Sequence, residues 1–219
     1  MNRIRNFAGA VVLFAAASTS HAVVYDFEDI TGFVNRQNLP ALGIQNSYLG
    51  FQWPSDSSAR PWAVVNNSDS QFNSVGALSG SQALWNWSDG PYRDLVFGSA
   101  HTVNGAYFNV FTQGASWGAD QVFLQAFDAS NNLIATSATI SLSETNPTWT
   151  WVGLNATGVT RLRVNNVDLN GGTGGGWWTM DNLTLDEPIG NAPEPGTLAL
   201  LGLGLAGFGF ARRRNRKAA

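Results

Sequence analysis

Between residues 23 and 187, apolar and polar positions alternate in short bursts separated by Gly, Asn, Asp and Pro, and no stretch repeats its apolar residues at helical spacing. Alternation at a period of two sends successive side chains to opposite faces of an extended chain. The pattern therefore predicts strands at 24–30, 48–53, 83–87, 95–97, 102–111, 121–127, 133–140, 148–154, 160–165 and 177–185. The clearest pairing is a hairpin over 121–140, turning at Asp128-Ala129-Ser130-Asn131-Asn132, because Asp and Asn bond to nearby backbone and tolerate left-handed conformations. Short strands without helices predict an all-β fold, an antiparallel β-sandwich of jelly-roll type. Residues 55–81 and 170–176 read as long loops.

Both ends break this pattern. Arg3 and Arg5 precede an apolar run at 7–17 and then Ser20-His21-Ala22, the charge, length and small-residue ending of a signal peptide over 1–22. A retained membrane helix is the competing reading, for which the apolar run is short. At the other end Pro193-Glu194-Pro195 is followed by an uncharged stretch, 197–211, and by Arg212-Arg213-Arg214-Asn215-Arg216-Lys217. As a helix, 197–211 would be about 22 Å long against a hydrocarbon core of about 30 Å. Snorkelling arginines and local bilayer thinning extend that reach. The competing reading, a buried core helix, suits neither its glycines nor its cationic end. Arg212, Arg213 and Arg214 should remain cytoplasmic, which leaves the preceding chain outside the inner membrane. The expected organisation is a signal peptide (1–22), a β-sandwich domain (23–187), a linker (188–192) and a tail (193–217) with a hydrophobic helix at 197–211.

This three-part tail resembles the bacterial PEP-CTERM sorting signal, and the resemblance covers only residues 193–217. It implies export by a Gram-negative bacterium, recognition of Pro193, Glu194 and Pro195 by an exosortase-type membrane enzyme, and processing followed by release to the cell surface or extracellular matrix. Two prolines without amide donors also keep that site extended and accessible. The resemblance further implies an association with extracellular polysaccharide. In general form the domain also resembles carbohydrate-binding jelly-roll modules, a likeness that does not by itself assign a function.

Charge narrows the partners. The terminal segments supply most of the cations, and residues 23–190 hold five arginines, no lysine and fourteen acidic residues, hence a net −9. Nucleic acid and anionic lipid reward clustered Lys and Arg, so neither is an expected partner of the domain; cations and neutral glycans suit it better. With no cysteine, disulfides and thiolate-bound metals are excluded. A domain this long buries enough surface to stand without them.

All nine tryptophans lie in the domain. Aromatic faces stack on sugar rings, which makes Trp85, Trp87, Trp149, Trp151, Trp177 and Trp178 candidate glycan-binding residues. Trp85 and Trp87 share one strand face, as do Trp149 and Trp151. Leu84 opposes the first pair, and Val152 and Leu154 the second. If these aliphatics face the core, the indoles form platforms; if the indoles face the core, they are structural. Trp177 and Trp178 must point to opposite sides.

Glu28, Asp29 and Asp181 are candidate ligands for a structural calcium ion. Asp29 should end the first strand on its inward side, and Asp181 shares a face with Leu183 and Leu185. Terminal strands are neighbours in many jelly rolls, which would gather these carboxylates. The alternative is that each accepts backbone amides in a loop.

Catalysis has little support. His101 is the only histidine after residue 22, so a Ser-His-Asp triad would have to use it, and beside Gly98-Ser99-Ala100 it reads as a solvated turn residue. The expectation is a non-catalytic envelope or matrix protein that binds exopolysaccharide. The alternatives are a structural or adhesive protein and a glycan-active hydrolase.

Overall fold

The computed structural model describes residues 22–33, 35–55, 61–87, 90–114, 117–169 and 176–186. The signal-peptide run before Ala22, the linker, the Pro193-Glu194-Pro195 motif, the 197–211 helix and Arg212, Arg213 and Arg214 lie outside the described residues. All described residues fall in one unit, His21–Ala192.

Ten strands and two 3₁₀ turns, with no α-helix, make up the regular structure of the described residues. The strands are β1 (Val23–Tyr25), β2 (Gln37–Asn38), β3 (Ala63–Asn66), β4 (Gln82–Trp85), β5 (Tyr92–Val110), β6 (Gln121–Phe127), β7 (Leu133–Thr136), β8 (Ile140–Ser141), β9 (Thr150–Val167) and β10 (Trp178–Leu185). Their hydrogen-bonded order is β2-β3-β4-β10-β5-β9-β6-β7, with β1 added to β10 and β8 to β6. Every pairing between these strands is antiparallel. Val64, Leu84, Phe108, Val152 and Met180 from one end of this path share a core with Leu95, Val122, Leu124, Leu162 and Val164 from the other. The path thus closes into two packed layers, the expected all-β sandwich.

The long strands β5 and β9 connect the layers. Each was expected as two separate strands; instead they run side by side through register shifts at Val96/His101, His101/Val103 and Val103/Gly105. Bulges of this kind bend a strand and reset which residues face inward. Gly105, at φ +153°, permits the closest approach: an added Cβ would lie 2.2 Å from the Val152 carbonyl oxygen.

Other boundaries moved for local reasons. β1 ends at Tyr25, and Phe27, at φ 62°, turns the chain out of the extended region expected through residue 30. Residues 48–53 begin with a 3₁₀ turn, Tyr48–Gly50, and return to the sheet only through a bridge from Gln52 to Val96. The 55–81 stretch, expected to be loop, contains β3 and the second 3₁₀ turn, Phe72–Ser74. The 121–140 hairpin turns where expected: Asp128 accepts the amides of Ser130 (2.9 Å) and Asn132 (2.8 Å), and Asn131 takes φ 63°.

β3 and β4 are buried on both faces. Val64 and Leu84 enter the main core, while Ala63, Val65, Ala83 and Trp85 enter a second one with Phe72 and Phe111. The 67–81 segment supplies the cover, Phe72 directly and Val75 and Ala77 at its margin.

Candidate aromatic binding site

Three carboxylates pin that covering segment. Asp69 accepts the amides of Gln71 (2.8 Å) and Phe72 (3.0 Å) and pairs with the Arg36 guanidinium. Burial works against its charge, but Arg36, these amides and Asn35 hold the carboxyl well below the usual range. Asp181 accepts the amides of Leu78 (3.0 Å) and Ser79 (3.1 Å), and Glu28 those of Ser81 (2.8 Å) and Gln82 (2.7 Å). For Asp181 burial wins, and its pKa is pushed up to about 6.

Under this cover the aromatic rings form a continuous stack. Phe72 stacks on Phe111 (6.1 Å), Phe111 on Trp85 (4.3 Å) and Trp85 on Trp87 (5.1 Å), with interplanar angles of 21°, 16° and 14°. Trp177 meets Trp85 edge-on at 5.3 Å and Trp117 at 5.3 Å. At the two ends of this array, Trp87 is 38% and Trp117 40% exposed. The indole N–H of Trp85, buried between them, has no hydrogen-bond partner among the described residues.

A buried polar clamp sets the positions of these rings. Asn86 donates to the Gly176 carbonyl (2.7 Å) and accepts the Trp178 amide (3.0 Å). Buried Arg93 donates through Nε to the Asn86 carbonyl (3.0 Å), completing the link from β5 to the start of β10. Trp87, at φ 36°, leaves the strand line here, so its ring lies over Trp85 at the sheet end.

The predicted tryptophans divide. Trp85 is 2% exposed and Trp178 0%, so neither is an open platform. Leu84 does point into the main core as required, but the opposite face of β4 is also covered, a possibility that alternation alone cannot reveal. Trp177 and Trp178 do take opposite sides, one in each core. Trp149 packs against the second core and donates to the Gly76 carbonyl (3.0 Å). Trp151 is 39% exposed and contacts Tyr107 at 5.1 Å, on the outer face of β9 and β5. Trp117, which sequence reasoning did not single out, lies in a turn where no alternation marks it.

The carboxylates also differ from expectation. Asn182, at φ 49°, and a register shift after Asp181 reverse the alternation of β10, so Met180 and Leu183 both enter the main core. Asp181 consequently faces away from Leu183 and Leu185, toward the covering segment. Asp29 is exposed rather than inward and accepts the Tyr48 hydroxyl at 2.5 Å. β1 does pair with β10, as expected of terminal strands. Glu28, Asp29 and Asp181 are each engaged by their own donors, and no group of three or more His, Asp or Glu side chains among the described residues is arranged to hold a metal ion.

No curated protein sequence matches the chain. Among solved structures, a DUF4465 family protein from Bacteroides caccae is similar over 63% of this chain and 80% of its own, at 17% identity and a TM-score of 0.45. The CBM22-1 xylan-binding domain of Xyn10C from Paenibacillus barcinonensis is similar over 80% of this chain and all of its own, at 10% identity and a TM-score of 0.41. TmCBM61, solved with β-1,4-galactotriose, covers 71% of this chain at 13% identity and a TM-score of 0.37. Residues 191–215 match the PEP-CTERM protein-sorting motif, and the chain therefore carries the signal of an exosortase-sorted protein bound for the cell envelope or beyond.

Proposed function

We propose that this is an envelope or matrix protein whose β-sandwich binds extracellular polysaccharide through Trp87 and Trp117, the two exposed indoles of the aromatic array. The carrying observation is that two large indoles stay exposed at the ends of a ring system that is otherwise buried and rigidly stacked. A preorganised indole offers a flat apolar face without the entropic cost of ordering it. The domain's negative charge favours a neutral glycan. In this reading the tail holds the exported protein transiently in the inner membrane, with its cations cytoplasmic, until the sorting enzyme acts.

Tryptophan fluorescence of the full chain in detergent micelles, titrated with the producing organism's exopolysaccharide, tests the reading. A saturable shift, weakened about tenfold by Trp87→Ala or Trp117→Ala and left intact by Trp151→Ala, supports it. No shift from a folded protein, or equal loss in all three variants, refutes it. An adhesive role is the second reading, favoured by Leu133 and Ile134, which are 52% and 42% exposed on the edge strand β7.

A further inference from the structure

Outside the aromatic array, three side chains align in the order of a nucleophilic relay. His101 lies within β5 rather than in a turn, and its Nδ1 is 2.8 Å from Asp186 Oδ2. A carboxylate there accepts, so Nδ1 carries a proton, and in the neutral imidazole Nε2 is the acceptor. Nε2 faces the Ser99 hydroxyl at 3.3 Å. Serine, imidazole and carboxylate thus stand in the sequence of contacts that activates a serine oxygen, within the looser range usual for an empty site.

The supports are fixed. Asp186 Oδ1 accepts the Thr102 amide (2.9 Å), and the Asp186 amide donates to the Thr102 carbonyl (2.7 Å). The imidazole packs edge-on against Phe51 at 5.7 Å and beside Phe97 at 5.1 Å. Ser99 is exposed. The register of β5 on β9 passes from Val96↔Arg161 to His101↔Val159, so residues 97–100 bulge around the serine. The backbone amides of this bulge are the donors closest along the chain to an oxyanion formed at Ser99.

We propose that Ser99, His101 and Asp186 cleave ester groups that project from a larger carrier. Ser99 Oγ attacks the ester carbonyl carbon while His101 Nε2 takes its proton. The carbon–alkoxy bond then breaks, and the alcohol leaves with that proton. Water, deprotonated in turn by Nε2, attacks the acyl-serine, releasing the acid and restoring Ser99. Ser99 and His101 are the catalytic residues, and Asp186 is a positioning residue. An exposed nucleophile on a bulged strand suits a small acyl substituent on a polymer better than a substrate that must be enclosed.

The test is the full chain with diisopropyl fluorophosphate, in which a Ser99 Oγ–phosphorus bond forms as fluoride leaves. One adduct on Ser99, lost in S99A and formed on the order of 100-fold more slowly in H101N, is the expected result. With p-nitrophenyl acetate, D186N should lower kcat and leave KM unchanged, and should alter the pH profile of kcat, since Asn no longer fixes the tautomer. S99A removes one exposed hydroxyl, and its unchanged circular dichroism shows that loss of labelling is not loss of fold. No adduct, an adduct elsewhere, or labelling of Ser99 at an unchanged rate in H101N overturns the proposal and leaves the cluster as a latch on the end of β10.

Discussion

Asp181 has 0% of its surface exposed, and its pKa lies at about 6 instead of the ordinary 3.8. Burial is the cause, opposed by hydrogen bonds from Ser79, Asn182 and Leu78. A raised carboxyl pKa means that the folded state holds the proton more tightly than the unfolded chain. The associated stability is present in full below about pH 3.8, declines as pH rises and is gone above about 6. Two pH units at 1.36 kcal/mol each make that loss about 3 kcal/mol. Asp181→Asn keeps an oxygen for the Leu78 and Ser79 amides but carries no charge. Urea unfolding of both proteins at several pH values from about 4 to 7 isolates the term. The stability of the variant relative to the native protein should rise by most of that amount, about 2.5 kcal/mol, across that range. A difference that stays flat, or changes in the opposite direction, would refute the argument that desolvation dominates at this site.

Gly105→Ala should cost about 2–4 kcal/mol in thermal or urea unfolding, because its Cβ would meet the Val152 carbonyl at 2.2 Å; a loss under 1 kcal/mol would mean that β5 and β9 adjust freely. Asn86→Ala strands the Gly176 carbonyl and the Trp178 amide, so stability should fall by about 2–3 kcal/mol and the near-ultraviolet dichroism of the stacked indoles should change. An unaltered aromatic spectrum would show that the clamp does not position Trp87. Replacing Arg212, Arg213 and Arg214 with Glu should disturb retention and processing; unchanged localisation and mature mass would contradict the reading of the tail.

The fold class was legible because period-two alternation survives in most of the chain. β6 is a clear case, with Val122, Leu124 and Ala126 buried in turn where the pattern placed them. Legibility failed where backbone geometry overrides alternation. Phe27, Trp87 and Asn182 all adopt positive φ; Phe27 and Trp87 are residue types that give no warning of it, and Asn182, though tolerant of that conformation, sits inside a run that alternates like a plain strand. For Asn182 the error passed to Asp181, whose face was inverted. The tryptophans were recognised as a group but could not be sorted, since a strand covered on both sides by different segments reads like one with a solvent face. Ser99 and His101 lie two residues apart, yet Asp186 is eighty-five residues from His101, and only the pairing of β10 with β5 closes that distance.

The position of β10 also decides how the protein bears tension. It is hydrogen-bonded to β5 on one side and to β4 and then β1 on the other, and the chain leaves it at Asp186 to run toward the sorting tail. A force applied at Asp186 along the strand axis loads both of these edges. It must slide several ladder bonds at once on two edges instead of peeling them one by one. β10 is thus a shear joint at the last described residues of the sandwich, where the two ladders share a load instead of taking it in turn.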